Sequence, residues 1–413
     1  MAQIEPFAAI RYDFAGLGGD VSSRVAPPYD VLDQGEKDAL LAKSDRNVVA
    51  IDLPHIPPKS AGPAECYDRA ARTLADWLAD GTFVREDSPA LYVYHQVFTV
   101  DGKAYTRRKF IARLRLTPFS QGVVLPHEQT FGGPKEDRLA LTKATRCNLS
   151  PVFALHTDPG DEIGSAFAAA VAKPPDVTAT LEEVENRVWI VKDGAVIDRV
   201  RSAMAAKRVF IADGHHRYGT ALLYRDYLAR QFGGSLPDEH SANYVMMVLA
   251  SMDDPGCLIL PYPRVLVNVG LDAILAAWRP GTAPAPPAEA DLVLFEGASG
   301  RSAGVRFTNR SALAAVAPDR SDAWRALDSA YIHGYLIDEL TAKSDIGPPT
   351  IRYVKSTAHA KAGARDENGV ALLVKATPME QLRAVSEAGD LMPQKSTYFY
   401  PKLATGLTIN PLE

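Results

Sequence analysis

Apolar residues recur at helical spacing in several stretches of the chain. One predicted helix begins near Ala64 and stops at Gly81. A second follows the segment Asp213–Arg217, and shorter helices are expected over residues 139–147 and 378–388. The apolar face of the first helix consists of Tyr67, Ala70, Leu74 and Trp77, and that of the second of Ala221, Tyr224, Leu228 and Phe232.

Strand-like runs alternate with these helices. Residues 91–100 and 105–116 are rich in β-branched and aromatic side chains, and Asp101-Gly102 between them predicts a hairpin. Residues 351–354 and 371–374 are expected to pair with each other, and residues 282–290 form a turn region rich in Pro and Ala. Further short strands are predicted at residues 47–53, 152–155, 187–191, 209–212 and 244–250.

This mixture of hairpins and strand–helix junctions favours an α+β (mixed α/β) fold with a mixed sheet over a regular parallel barrel. The predicted organisation has four parts. These are an N-terminal region (1–88), a core (89–265), an inserted subdomain (266–345) and a C-terminal segment that closes the active site (346–413).

Composition narrows the classes of function. The chain has 413 residues, of which 46% are hydrophobic and 23% charged, and its net charge is -5. The negative charge argues against a nucleic-acid partner, and no apolar run approaches the roughly 20 residues that span a bilayer. The N-terminus lacks a signal-peptide pattern, and the three cysteines have no CxxC spacing, so we expect a cytoplasmic protein with reduced thiols.

The segment Asp213-Gly214-His215-His216-Arg217 stands where an apolar strand meets a helix. Free backbone N–H groups and the positive end of the helix dipole favour a bound phosphate there. Gly214 allows close approach, Arg217 can hold phosphate oxygens, and Asp213 can help bind a divalent metal. The alternative is a helix cap with structural histidines, and zinc is a weaker one because adjacent histidines cannot readily share one ion.

Two further segments offer polar groups for chemistry. Glu128 lies beside His127 in a loop, and a carboxylate within reach of a hydroxyl can act as a general base. Near the C-terminus, Lys395, Ser396 and Thr397 form a donor-rich cluster that is either a docked terminal strand or a wall that binds phosphate or substrate. Lys135, Arg138 and Lys143 follow the loop that carries Glu128. They can belong to the same site, or they can equally be the solvated face of a helix.

Long ordered motifs give the chain a family resemblance over nearly its whole length. It resembles the bacterial proteins described as domain of unknown function 1015. The motifs are Ala26-Pro27-Pro28-Tyr29-Asp30-Val31, Pro126-His127-Glu128-Gln129-Thr130, Lys135 with Asp137-Arg138, Asp213-Gly214-His215-His216-Arg217-Tyr218, and the run from Met392 to Lys402.

A more distant resemblance suggests a chemistry. The free L-serine kinases of the ParB/sulfiredoxin-like fold carry similar Pro-His-Glu-Gln, Asp-Gly-His-His-Arg and Pro-Lys-Thr/Ser-Thr segments in the same order. The resemblance implies a ParB/sulfiredoxin-like nucleotide-binding core that phosphorylates free L-serine with ATP or ADP and Mg²⁺. The motif argues against sulfiredoxin itself, which has Cys where this chain has His215. It also argues against ParB-type DNA partitioning, whose motif has Glu-Arg-Arg where this chain has His-His-Arg.

The resemblance also implies roles for individual residues. Catalysis is assigned to Glu128 as base, with Asp213 and His216, and Asp213 is also the metal ligand. Nucleotide and phosphate binding falls to Gly214, His215, Arg217, Tyr218 and Arg138, and substrate binding to His127, Lys395, Ser396 and Thr397. The expected partner is a small hydroxylated metabolite, and a homodimer is a further possibility that the sequence does not decide. The alternatives are a non-catalytic nucleotide sensor and a hydrolase of nucleotides or phosphate esters.

Overall fold

The β-branched and aromatic runs on either side of Asp101-Gly102 form a long antiparallel hairpin. In the computed structural model, which describes residues 1–57, 60–130, 132–278, 280–338 and 349–413, these runs are the antiparallel strands Leu91–Val100 and Lys103–Arg115. Asp101 and Gly102 both have positive φ angles, 49° and 77°, which suit a tight hairpin turn. The predicted hairpin is therefore confirmed.

The described chain divides into two compact units. Unit 1 contains Met1–Pro126, Thr130–Cys257 and Pro401–Glu413, and unit 2 contains His127–Gln129 and Leu258–Tyr400. The predicted four-part division stays a prediction, and its boundary at 345/346 lies outside the described residues.

Unit 1 is built around a mixed sheet. The strands of unit 1 are β1 (Ile4–Glu5), β2 (Ile10–Tyr12), β3 (Phe83–Arg85), β4 (Leu91–Val100), β5 (Lys103–Arg115), β6 (Val124–Leu125), β7 (Cys147–Asn148), β8 (Val152–His156), β9 (Val177–Leu181), β10 (Val184–Val191), β11 (Val209–Asp213), β12 (Tyr244–Ser251) and, near the C-terminus, β21 (Asn410–Pro411), which pairs with β7. Its α-helices are α1 (Gln34–Lys43), α2 (Val49–Asp52), α3 (Ala64–Ala79), α4 (Gly132–Thr145), α5 (Glu162–Ala166), α6 (Ala168–Val171), α7 (Gly194–Ala205) and α8 (His215–Gln231). Short 3₁₀ turns cover Tyr29–Val31, Phe119–Gln121 and Ser241–Asn243.

The main sheet has the order β6-β11-β8-β12-β5-β4-β10-β9, and β1 pairs with the far end of β5. The pairs β6/β11 and β8/β12 are parallel, whereas the other neighbours are antiparallel. Strand β12 is buried along nearly its whole length, because it is flanked by strands on both edges and its Val, Met and Leu side chains fill the core on both faces. The chain therefore has the α+β fold with a mixed sheet that its sequence predicts.

Unit 2 contains an antiparallel sheet covered by short helices. Its strands are β13 (Leu258–Leu260), β14 (Arg264–Val267), β15 (Thr282–Ala285), β16 (Leu292–Glu296), β17 (Ser302–Phe307), β18 (Thr350–Tyr353), β19 (Val370–Val374) and β20 (Tyr398–Tyr400). Its helices are α9 (Leu271–Trp278), α10 (Ala312–Val316), α11 (Asp322–Arg325), α12 (Asp328–Tyr331), a π-helical turn (Ile332–Ile337), α13 (Thr357–Asp366) and α14 (Met379–Glu387). The sheet order is β15-β17-β16-β19-β14-β18, and β13 pairs with β20.

Three secondary-structure predictions are wrong. The predicted strand at residues 47–53 is the short helix α2, and just before it the side chain of Asn47 accepts a 3.0 Å hydrogen bond from the Val49 amide. Strands β18 and β19 do not pair with each other, since each pairs with an opposite edge of β14. The predicted turn at residues 282–290 begins as strand β15, which tolerates Pro284 because it lies at the edge of its sheet.

None of the helices in the described ranges is long and apolar enough to cross a membrane.

Candidate functional site

The junction between β11 and α8 has the backbone geometry that phosphate binding requires. Gly214 adopts a φ of 90° between the end of the strand and the first helical residue, His215. A Cβ atom at this position would stand 2.8 Å from Nε of Arg217, so glycine is needed both for the backbone angle and for the space. The backbone N–H groups of the first turn of α8 have no carbonyl partner within the helix, so they point outward from its N-terminus.

Asp213 is held by two cations of unit 1. Lys402 Nζ donates to Asp213 Oδ2 at 2.7 Å, and an Arg217 nitrogen lies 3.5 Å from Oδ1. Arg217 also donates to the carbonyl of Pro151 and is mostly buried. Burial favours the neutral acid, but the charges of Lys402 and Arg217 outweigh it and hold the pKa of Asp213 well below its usual range. Asp213 is therefore ionised at neutral pH, and its partners leave the cluster with a net positive charge.

The predicted magnesium ligation by Asp213 does not fit this arrangement. Each of its carboxylate oxygens already faces a cation. In the ranges that the structure covers, no group of three or more His, Cys, Asp or Glu side chains is placed to hold a metal ion. Lys402 and Arg217 thus supply the positive charge at Asp213 that the prediction assigned to a metal.

Two residues predicted to bind the nucleotide are committed inside unit 1. The Tyr218 hydroxyl donates to the carbonyl of Thr117 at 2.8 Å and accepts from the amide of the same residue at 3.0 Å. Arg138 is buried, and its guanidinium donates to Asp137 Oδ2 at 2.8 Å and to the carbonyl of Asp52 at 2.6 Å. These contacts favour structural roles for both residues over the predicted phosphate contacts.

The two histidines of the turn differ in exposure. His215 is buried, whereas His216 is half-buried at the start of α8. Their predicted roles in phosphate binding and charge stabilisation stay predictions.

Unit 2 brings the His127 segment together with the C-terminal motif. His127 is buried, and its Nε2 lies 3.0 Å from Thr397 Oγ1. The Met392 amide donates to the carbonyl of His127 at 2.8 Å, so both ends of the run 392–397 are tied to this segment. This pairing joins two motifs that lie 270 positions apart in the chain.

Glu128 differs from its neighbour. Its side chain is half-exposed and makes neither a hydrogen bond nor an ion pair with any residue in the described part of the chain. A carboxylate without a protein partner keeps its lone pairs available for a proton or a ligand. Its predicted role as a base stays a prediction.

The three donors of the C-terminal motif have different surroundings. Lys395 is exposed, adopts a φ of 57°, and its carbonyl accepts from Arg264 at 3.3 Å. Ser396 is buried, and its Oγ lies 2.6 Å from the carbonyl oxygen of Pro393 and 2.8 Å from Ser329 Oγ. Lys395 is therefore presented outward, while Ser396 fixes the loop from inside.

Sequence reasoning assigned no role to Lys402. This residue closes the C-terminal motif from Met392, but it follows three aromatic residues and Pro401, a pattern that is also typical of the end of a docked strand. The available signal was its membership of that motif. Its contact with Asp213 links sites 189 positions apart, which local spacing does not reveal.

Comparisons with known proteins give distant structural neighbours. A conserved hypothetical protein from Pyrococcus furiosus shares 13% identity at a TM-score of 0.34, covering 72% of this chain and 95% of its own. A free serine kinase in complex with AMP shares 12% identity at a TM-score of 0.35, covering 73% and 91%. C-terminally truncated SbnI from Staphylococcus aureus shares 12% at a TM-score of 0.38, covering 72% and 87%.

The family assignment rests on sequence. The comparison with curated proteins finds no match. The profile of the family described as "Protein of unknown function (DUF1015)" matches residues 4–329, which include most of unit 1 and the motifs from Pro126 and from Asp213. This chain is a member of the DUF1015 family.

Proposed function

We propose that this protein is a small-molecule kinase that transfers a phosphoryl group from ATP or ADP to the hydroxyl of free L-serine, giving O-phospho-L-serine. The observation that supports it most is the cluster of Lys402, Asp213 and Arg217 around the N-terminus of α8. Two cations, one carboxylate and outward-facing amides form an electropositive site for phosphate.

The residues of the cluster have distinct roles in the proposal. Gly214 lets the phosphates approach the backbone, and Arg217 and Lys402 neutralise their charge, assisted by His216. Asp213 acts as a positioning residue, since its bonds orient both cations. Phosphoryl transfer depends mainly on such positioning and on electrostatic stabilisation of the transferred group. Mg²⁺ belongs to the proposal as a counter-ion of the nucleotide, and no step is assigned to it.

The acceptor side of the reaction is assigned to Glu128 and its neighbours. Glu128 takes the proton of the serine hydroxyl as it attacks the terminal phosphorus, whose bond to the bridging oxygen of the nucleotide breaks. Two observations support this role, namely the half-exposed position of Glu128 and its lack of a described partner. His127, bonded to Thr397, holds the segment that carries the base. Lys395 is exposed and is proposed to bind the substrate.

One incubation separates this proposal from its rivals. The protein is mixed with ATP or ADP, Mg²⁺ and a pool of amino acids and hydroxylated metabolites, and products are identified by mass spectrometry. A kinase for serine yields O-phosphoserine and consumes nucleotide only when serine is present. Nucleotide binding without consumption identifies a sensor, and phosphate release without added acceptor identifies a hydrolase. Either of these results refutes the proposed kinase.

A further inference from the structure

Unit 1 contains a second cavity that the proposed kinase chemistry does not use. It has a volume of about 270 Å³ and lies between the main sheet and the helices α5 and α6. Val93, Phe110 and Leu249 contribute apolar walls from the sheet, and Phe167 contributes one from the helical side. A cavity of this size accommodates a ligand of one or two rings, since a benzene molecule occupies a cavity of about 150 Å³.

The cavity lies on the face of the main sheet opposite to Pro401 and Lys402 of unit 1. Successive side chains of a strand point to opposite faces. On β5, Arg107 donates to the carbonyl of Pro401, next to Lys402, whereas Arg108 and Phe110 line the cavity. The cavity is therefore distinct from the cluster around Asp213.

Two imidazole rings supply polar groups inside the cavity. His156 is 2% exposed, and its closest polar contact is a distant one of 3.5 Å between Nδ1 and the carbonyl of Thr157. Its Nε2 makes no hydrogen bond with any residue in the described ranges. His95 likewise has no hydrogen bond within these ranges, and its ring packs edge-on against Trp189 at 5.0 Å. Both histidines line the cavity, so ring nitrogens without a described protein partner are available to hydrogen-bond a ligand with complementary donors or acceptors.

The charges at the rim exclude an anionic ligand. Arg108 is bridged to Asp161 at 2.9 Å and to Asp254 at 2.8 Å. Asp158 also lines the cavity and pairs with Lys207 at 3.2 Å. Burial lowers the pKa of both His95 and His156 to about 4, so both rings are neutral at pH 7. Lys109, the other basic residue of the lining, donates to the side-chain carbonyl of Gln96, so each basic residue of the lining has a protein partner. The three carboxylates of the lining disfavour phosphates and carboxylates.

We propose that this cavity is a binding site for a small uncharged heteroaromatic molecule of one or two rings. The aromatic and aliphatic walls stack on the rings of the ligand, and each neutral imidazole exchanges a hydrogen bond with a ring N–H or a ring nitrogen. A hydrocarbon of the same shape would leave both imidazoles unpaired and would bind more weakly. The site does not depend on the proposed kinase activity.

Calorimetric titration of the full chain tests this site. The probes are indole, benzimidazole and adenine, with naphthalene as the apolar control and benzoate as the anionic control. At least one heteroaromatic probe binds saturably at one site per chain, about tenfold tighter than naphthalene, as expected for one retained hydrogen bond. Benzoate does not bind. Absence of binding by all three heteroaromatic probes, or equal affinity for naphthalene, overturns the proposal.

Variants locate the binding. His156→Phe weakens the affinity for the tightest-binding probe by about tenfold. The matched control His359→Phe, at an exposed position on a helix of unit 2, leaves that affinity unchanged. Where His156→Phe does not fold, His95→Phe on the hairpin strand takes its place, and Val171→Trp fills the cavity from its half-exposed side. Unchanged affinity in a folded His95 or His156 variant and in Val171→Trp refutes the location.

Discussion

The contact between Lys402 and Asp213 predicts a measurable coupling energy. Lys402→Met removes the ammonium group but retains an apolar stem, and Asp213→Asn removes the carboxylate charge at nearly constant volume. Each single change and the double change form a cycle that isolates the interaction between the two side chains. Arg217 is unchanged in all four proteins.

The structure sets the size of this coupling. The side chains of Lys402 and Asp213 are 24% and 21% exposed, so the pair lies between an exposed and a buried ion pair. Exposed pairs contribute about 0.2–1 kcal/mol, whereas removal of one partner of a buried pair costs about 3–5 kcal/mol. Arg217 still compensates Asp213 at 3.5 Å when Lys402 is lost. We therefore expect a cost of about 1–2 kcal/mol for Lys402→Met and a coupling of about 1 kcal/mol.

Hydrogen–deuterium exchange of the peptide that spans β11 and the start of α8 measures these free energies locally. Because the folded-state pKa of Asp213 is lowered, its stabilising effect is present above its unfolded pKa and is lost only as the pH falls through the lower folded value. The coupling should therefore be equal at pH 8 and pH 5. Additive single changes, or a coupling that disappears between pH 8 and pH 5, would refute the assignment.

Three further changes have defined outcomes. Gly214→Ala should destabilise the β11–α8 junction by about 1–2 kcal/mol in exchange measurements, because of its φ of 90° and the 2.8 Å approach of Arg217; a neutral effect would contradict this. Thr397→Val removes the hydroxyl bonded to His127 and should lower the free energy of unfolding, measured by thermal denaturation, by about 1 kcal/mol. Thr397→Ser keeps the hydroxyl and should keep the wild-type stability. The folded pKa of His156, about 4, lies below its unfolded value, so its contribution to stability is present above the unfolded pKa and falls as the pH drops toward 4. In urea denaturation at a series of pH values, His156→Phe should weaken the pH dependence of the free energy of unfolding. An unchanged pH dependence in this variant would contradict the prediction.

Much of the fold was accessible from local patterns. The face of α3, the Asp-Gly hairpin and the strand–helix junction at Asp213 each depend on residues close together in the chain, so spacing was sufficient to predict them. The prediction of a strand at residues 47–53 is wrong because a short apolar run does not distinguish a strand from a buried helix. Strand β14 could not be seen between β18 and β19, since strand order depends on long-range pairing.

The candidate site was predictable only in part. The turn around Gly214 is local and was found, and the fixed backbone angle agrees with the choice of glycine. Arg138 and Tyr218 looked available for a ligand because their spacing does not reveal burial against Asp52 and Thr117. Lys402 was missed because its partner is brought close by folding alone.

Phosphorylation of serine by the Glu128→Gln variant tests the central claim most directly. The wild type and the variant are incubated with nucleotide, Mg²⁺ and L-serine, and O-phosphoserine is quantified by mass spectrometry. Nucleotide affinity is measured in parallel. The proposed mechanism predicts product from the wild type, near-complete loss of turnover in the variant, and nucleotide affinity within about twofold, since a general base commonly contributes about 10²–10⁴-fold to the rate without holding the phosphates. Near-normal phosphoserine formation by Glu128→Gln, or no product from the wild type, would contradict it.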